Sequence, residues 1–235
     1  MIDSLLVNPH ISDYLATLMP DLPDVLENMY ANARDNRIPV IRREAQMLLR
    51  FLILDKQPMN VLEIGTAIGF SACFMAEYMP VNSSIVTIEK DEERYCLAKE
   101  NTARFSSDYA SRKEGKCPEI TCVCDDAEAY LKKLREEGRT FDFIFLDAAK
   151  AQYPVYLSVL HSLMKPNTVL LTDNVMQEGS VAESKFTVTR RDRTIHIRMR
   201  EFTDELFRSG LYESVMLPLG DGMTISMRRK ESSHE

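Results

Sequence analysis

No apolar stretch in this chain approaches the roughly 20 residues a helix needs to cross a bilayer. The opening residues, MIDSLLVNPHIS, lack both the basic start and the apolar core of a secretory signal. A cytoplasmic protein without membrane contact is the expectation from these two absences. An even cysteine set is missing too, since Cys73, Cys96, Cys117, Cys122 and Cys124 number five, which argues against a disulfide framework. Cys122 and Cys124 sit in TCVC, a run that suits a buried strand better than a zinc site, so all five are read as reduced thiols. Repeats and low-complexity segments are likewise absent, which leaves a single globular domain over residues 1–235 with 45% apolar content.

A surplus of positive charge is lacking as well. The formal net charge of -7 by itself argues against tight nucleic-acid binding, which depends on clustered Lys and Arg. The distribution runs against that sum. Between residues 185 and 200, Lys185, Arg190, Arg191, Arg193, Arg198 and Arg200 are opposed only by Asp192. The segment is a basic island on an acidic chain.

Residues 1–58 read as a helical extension, with helical spacing in LPDVLENMYANARDN and in VIRREAQMLLRFLIL until KQP ends it. Residues 59–229 then alternate. The β-rich runs NVLEI, SSIVTIE, EITCVC, FDFIFLD and NTVLLTD are separated by helical patterns, as in a parallel sheet with helices on both faces. After the helical HIRMREFTDELFRSG, the runs LYESVMLPL and GMTISMRR flank a GDG turn, a hairpin signal. An α/β, Rossmann-like domain with seven strands, mostly parallel and finished by an antiparallel hairpin, is therefore expected. That ending is unlike the usual dehydrogenase domain and resembles the class I methyltransferase fold.

In such sheets ligands bind beyond the carboxyl ends of the strands. The first strand is followed by VLEIGTAIGFS, where Gly65 and Gly69 permit a tight turn and close approach, and the next helix offers free N–H groups. The dinucleotide fingerprint fails here, because Ala67 and Phe70 occupy two of its three glycine positions. The methyltransferase pattern, acid-x-Gly-x-Gly-x-Gly, is met by Glu63, Gly65 and Gly69 with Ala67 as its one departure. Glu89, at the end of the second strand, is placed to accept hydrogen bonds from a ribose of either cofactor.

The later strands end in acids. Asp125 is read as a helix cap. Asp147, Asp173 and Asn174 instead form a hard-oxygen set suited to Mg²⁺ or a similar cation, with Lys150 in reach of the same pocket. Methyl transfer to oxygen needs an oxyanion in line with a sulfonium methyl. A cation stabilises that anion, and Lys150 either takes the proton or orients the oxygen.

The strings IPVIRREAQMLLRFL, VLEIGTAIGFSA, FIFLDAAKAQY, LLTDNV and LPLGDGMTIS, in that order over about residues 35–229, resemble the cation-dependent O-methyltransferases acting on catechols and caffeoyl-CoA. The resemblance implies S-adenosylmethionine contacts at Val40, Glu63, Gly65, Ser71, Glu89, Asp126, Ala127 and Asp147. It implies a metal on Asp147, Asp173 and Asn174, with Lys150 and Asp147 catalytic, and a homodimer joined through the N-terminal helices. Within the family, IPV, KQP, LEIGTAIG, DAAKAQY and TDNV look like the bacterial branch that methylates 5-hydroxyuridine at the tRNA wobble position. On that likeness Arg190, Arg191, Arg193, Arg198 and Arg200 contact anticodon-loop phosphates while the single-stranded base enters the pocket. The competing readings are a small-molecule O-methyltransferase, which calls for a compact apolar lid near 176–190 where the polar and basic EGSVAESKFTVTRRDR stands, and a non-enzymatic S-adenosylmethionine-binding module, against which the intact acid set stands.

Overall fold

The computed structural model describes residues 10, 14–15, 17–113, 115–184, 186, 188–190 and 192–230, which pack as two compact units, one of residues 10–127 and one starting at Glu128. Among the described residues no helix is long and apolar enough to cross a membrane.

In the first unit, helices α1 (Asp24–Asp35) and α2 (Arg43–Lys56) precede strand β1 (Asn60–Ile64). One face of α1 is buried through Val25, Leu26, Met29 and Ala33. Helix α2 stops at Gln57, whose left-handed φ of 45° turns the chain just before Pro58. Strands β1, β2 (Ser84–Glu89) and β3 (Glu119–Cys124) run parallel, so each link needs a crossover helix, supplied by α3 (Phe70–Tyr78) and α4 (Glu92–Lys113). The spacing of α4 predicts an end near Phe105. The helix continues to Lys113 because Tyr109, one turn on, is buried with its ring 5.9 Å from that of Phe105.

Helix α3 is apolar almost all round, since α1, α2, α4 and the strands enclose it. Glu77 breaks that pattern. Its side chain is 7% exposed, and its carboxylate is met by Arg112 at 2.8 Å and Lys113 at 3.1 Å. Asp108 grips the same guanidinium, and hydrogen bonds to the two carboxylates, that to Glu77 first, push the Arg112 pKa up. A buried carboxylate survives here because both cations compensate its lost hydration.

The TCVC run departs from its sequence expectation. Strand β3 is at the sheet edge, with Cys122 half-buried and Cys124 exposed, because an edge strand has a neighbour on one side only. All five thiols are free, as expected.

Helix α5 (Ala127–Glu136) leads to β4 (Phe141–Leu146), where, past Phe141 and the half-buried Asp142, the buried Phe143, Ile144, Phe145 and Leu146 make the continuous apolar run of a strand covered on both faces. Helix α6 (Tyr153–Leu163) passes directly into β5 (Met164–Thr172), three residues ahead of the expected NTVLLTD. The early part of β5 is irregular: its register against β4 jumps between Phe141 and Phe143. Pro166 has no N–H to give the ladder, Asn167 turns left-handed (φ 69°), and the Thr168 hydroxyl bonds the Phe141 carbonyl at 2.7 Å instead.

Helix α7 (Arg193–Arg208) starts inside the basic island and buries His196, Met199, Phe202 and Leu206. The hairpin β6 (Tyr212–Leu217) and β7 (Met223–Arg228) follows, with β7 antiparallel to both β5 and β6. The seven strands form one mixed sheet in the order β3-β2-β1-β4-β5-β7-β6, the expected Rossmann-like methyltransferase arrangement with flanking helices.

Arg112→Ala leaves the buried Glu77 carboxylate with Lys113 alone, so it should cost about 2 kcal/mol, less than stranding the charge outright. Urea unfolding would show it as a lower midpoint at unchanged slope.

Candidate active site

Beyond β1 the chain passes through three left-handed residues, Gly65 (φ 104°), Ala67 (46°) and Gly69 (82°). The amides of Gly65 and Thr66 both reach the Ile88 carbonyl, at 3.0 and 3.2 Å, which folds this loop over the end of β2. A side chain at Gly69 would press within 3.2 Å of Thr102 Cγ2 and 3.3 Å of the Ala98 carbonyl, so glycine is needed there. Asn101 supports the loop from α4, donating to the Ile68 carbonyl at 2.9 Å.

Ala67 costs about 1 kcal/mol in this conformation. Its N–H donates to Glu89 Oε2 at 2.9 Å, and the other Glu89 oxygen accepts from the amides of Lys90 and Asp91 at 2.9 and 3.0 Å. Three amides thus fix the acid and leave one lone pair, on Oε2, for a further donor. Glu63 is fully buried and accepts from Thr87 Oγ1 at 2.6 Å, and that hydroxyl also meets Thr66 of the loop. Ser71 stands in the first turn of α3, whose leading amides have no carbonyl one turn back. Asp126 pairs with Lys90 at 3.0 Å, Ala127 is buried, and Val40 is half-buried in the extended connection between α1 and α2. Asp125, expected as a helix cap, instead accepts the amide of Asp126, which precedes the helix, at 2.7 Å.

In the second unit, Leu146 and Thr172 are register partners in the parallel pair β4 and β5. The residues that follow them, Asp147 and Asp173, therefore share one edge. Asn174 turns left-handed (φ 60°), its amide N–H donates to Asp173 Oδ1 at 2.7 Å, and its Nδ2 donates to Asp147 Oδ1 at 2.8 Å. Desolvation raises the Asp147 carboxyl above the usual range, against the opposing pull of the Asn174 amide and the Lys150 charge. Among the described residues no three His, Cys, Asp or Glu gather as a metal set. The donors are instead two carboxylates and an amide that presents its oxygen once its plane is turned over. Such a small hard-oxygen group fits Mg²⁺, which keeps several of its waters.

Two residues outside the sequence-based set hold this edge together. Tyr153, fully buried, accepts from the Ala148 amide at 3.3 Å and donates to the Asp173 carbonyl at 3.2 Å, joining the two acid-bearing loops. Burial, with Asp147 nearby, keeps its phenol well above the usual range. Asp221, from the GDG turn, accepts from Lys150 Nζ at 3.2 Å and from the Glu178 amide. The string DAAKAQY carried Tyr153, but its role depends on a carbonyl 20 residues away. GDG signalled a turn and nothing more.

A cavity of about 410 Å³ opens beside Lys150, lined also by Asp221, Gln177, Glu178, Thr189 and Asp192, with Val188 the one aliphatic residue among its described walls. The structure divides the basic island near it. Arg198 pairs with Glu201 at 3.1 Å and Arg200 bonds the Glu183 carbonyl at 3.3 Å. Arg190 and Arg193 are exposed and next in the chain to the lining residues Thr189 and Asp192. Arg191 and Lys185 lie outside the described residues.

A family model described as O-methyltransferase matches residues 11–230. The catechol O-methyltransferase of Niastella koreensis is 33% identical over 133 residues, 56% of each chain. Tapetum-specific methyltransferase 1 of Arabidopsis thaliana is 26% identical over 212 residues, covering 90% of this chain and 86% of its own. Among solved structures, the Bacillus cereus O-methyltransferase in complex with SAH superposes at a TM-score of 0.79, with 22% identity over 94% of this chain and 97% of that one. The Streptomyces achromogenes O-methyltransferase TomG in complex with SAM gives 0.77, with 22% identity over 94% and 96%.

The raised Asp147 carboxyl has a definite sign in solution. Its stabilising contribution is present below the unfolded carboxylate pKa and is lost as pH rises through the folded value, so without a cation the ionised group weakens the fold at neutral pH. A divalent cation held there would favour the ionised form. Saturating Mg²⁺, at 100 times its Kd, should add about 2.7 kcal/mol at neutral pH. The gain in melting temperature should shrink as pH falls through the raised pKa and vanish in Asp173→Ala.

Proposed function

The chain belongs to the O-methyltransferase family, and from that premise we propose that it transfers the methyl group of S-adenosylmethionine to the C5 hydroxyl of 5-hydroxyuridine at the tRNA wobble position. S-adenosylmethionine supplies an electrophilic sulfonium methyl, and Mg²⁺ supplies the charge that favours the acceptor as an oxyanion. Asp147, Asp173 and Asn174 would hold the cation. Glu63, Gly65, Ser71, Glu89, Asp126 and Ala127, with Val40, would hold the methyl donor, Glu89 through the one Oε2 lone pair its three amides leave open. Lys150, an ammonium paired with Asp221, donates a hydrogen bond that orients the acceptor oxygen once that oxygen's proton has passed to solvent water, and S-adenosylhomocysteine leaves as the methyl transfers.

The cavity beside Lys150 carries this choice of acceptor. Apart from Val188 its described lining residues carry hydrogen-bonding groups, which suits a base with polar edges, and Glu178, Glu183, Asp192 and Asp221 repel phosphate from the interior. Arg190 and Arg193 flank lining residues and offer charge to phosphates at the rim. The 5-hydroxyuracil C5 hydroxyl and C4 carbonyl form a vicinal oxygen pair that chelates a cation as catechol does. The likeness to a catechol O-methyltransferase supports a second reading, a small catechol-type acceptor at the same cation. A wall with Val188 as the one aliphatic residue among its described members weighs against a phenylpropanoid. Self-association belongs to the proposal too, through α2, where Phe51 and Leu54 are 67% and 46% exposed.

Mass spectrometry of tRNA nucleosides from a deletion strain should show 5-methoxyuridine lost and 5-hydroxyuridine accumulated. Unchanged nucleosides, with purified protein methylating catechol, would replace the tRNA reading by the second. Arg190→Ala with Arg193→Ala should weaken tRNA binding across sequences and lower the salt slope by about 1 for each phosphate contact removed.

A further inference from the structure

We propose that Asp221 is a positioning residue for the acceptor site, a role that rests on the methyltransferase reading above. Its carboxylate, nearly buried, spans two elements that meet nowhere else in the sequence. Oδ2 accepts from Lys150 Nζ at 3.2 Å, and Oδ1 accepts from the Glu178 amide. Both partners line the cavity beside Lys150.

The segment it holds is conformationally costly. Asn174, Gln177 and Glu178 all have positive φ, at 60°, 52° and 54°, and Gly179 follows at 86°. Left-handed residues with side chains persist only where their surroundings over-determine them. Here the surroundings are the hairpin turn. The Val175 amide bonds the Gly222 carbonyl and the Met176 amide bonds the Asp221 carbonyl, both at 2.9 Å. Gly222 completes the fit, because a Cβ there would stand 2.3 Å from Met176 Cγ.

Lys150 has a single turn of 3₁₀ helix, Lys150–Gln152, to fix its backbone, and its long side chain is 27% exposed. Asp221 removes the rotamer freedom that would otherwise spread the ammonium over the cavity. It thereby sets one donor against the acceptor oxygen, while its other oxygen keeps the Gln177–Glu178 wall in place.

The two oxygens can be separated by substitution. Asp221→Asn retains an oxygen for the Glu178 amide but turns an NH₂ toward Lys150, so the wall stays and the lysine is released. Asp221→Ala loses both. Acceptor turnover in Asp221→Asn should fall roughly 100-fold, as expected when a reacting group is misplaced by about 1 Å, with the KM for S-adenosylmethionine unchanged. In a Lys150→Met background, read with radiolabelled methyl donor, the same substitution should cost less than about twofold, because the partner through which it acts is gone. A merely structural role would give equal losses in both backgrounds and overturn the proposal, as would turnover in Asp221→Asn within about twofold of wild type.

Hydrogen exchange reads the wall without any reaction. The amides of residues 176–178 should exchange about as slowly in Asp221→Asn as in wild type and at least about tenfold faster in Asp221→Ala. Equal protection in all three proteins would overturn the clamp. Wild-type protein inactive on both 5-hydroxyuridine tRNA and catechol would refute the methyl-transfer reading and the reaction half of this inference, and the exchange result would still decide the structural half.

Discussion

Two parallel strands whose register pairs Leu146 with Thr172 must deliver the next residue of each to the same edge, and each of those residues is an aspartate. Two carboxylates so confined repel, and burial raises the cost of ionising Asp147. The surrounding structure answers that constraint. Asn174 gives an N–H to each acid, Tyr153 bridges their loops, and Lys150 contributes positive charge. A site whose charge is compensated only in part by the protein is predisposed to a cation, which is how an arrangement unfavourable on its own becomes a functional one.

The glycine loop of the other unit solves a different problem by similar means. Backbone amides there, not side-chain cations, fix an acid, with Glu89 gathering Ala67, Lys90 and Asp91. The Ala67 methyl is tolerated in a conformation glycine would adopt freely because its N–H lands on that carboxylate. The departure from the glycine pattern is thus a local exchange of backbone ease for an anchored acid.

What was legible in the sequence follows from range. Strands and helices repeat over neighbours, so VLEIG, FIFLD and LLTD revealed both their strands and the acids at their ends. Strand order did not show in TCVC, whose apolar texture resembles that of a covered strand although β3 stands at the edge. Pro166 hid the start of β5, since a strand that opens through a bulge looks like a loop. Tyr153 and Asp221 escaped for a third reason: each acts on a partner distant in the chain, and nothing in its own neighbourhood marks it. The basic island was visible as composition, yet only the fold shows that Arg198 and Arg200 are engaged locally while Arg190 and Arg193 are exposed beside the lining residues Thr189 and Asp192.

The ion pair of Lys150 with Asp221 closes a loop of 71 residues. Contacts of such separation form late, after the entropy of the intervening chain has been spent. On the ribosome, Lys150 and the aspartates emerge well before the hairpin turn that completes their surroundings. A nascent chain therefore carries every proposed ligand of the cation before it has an ordered acceptor wall, and competence arrives with the closing hairpin of the sheet.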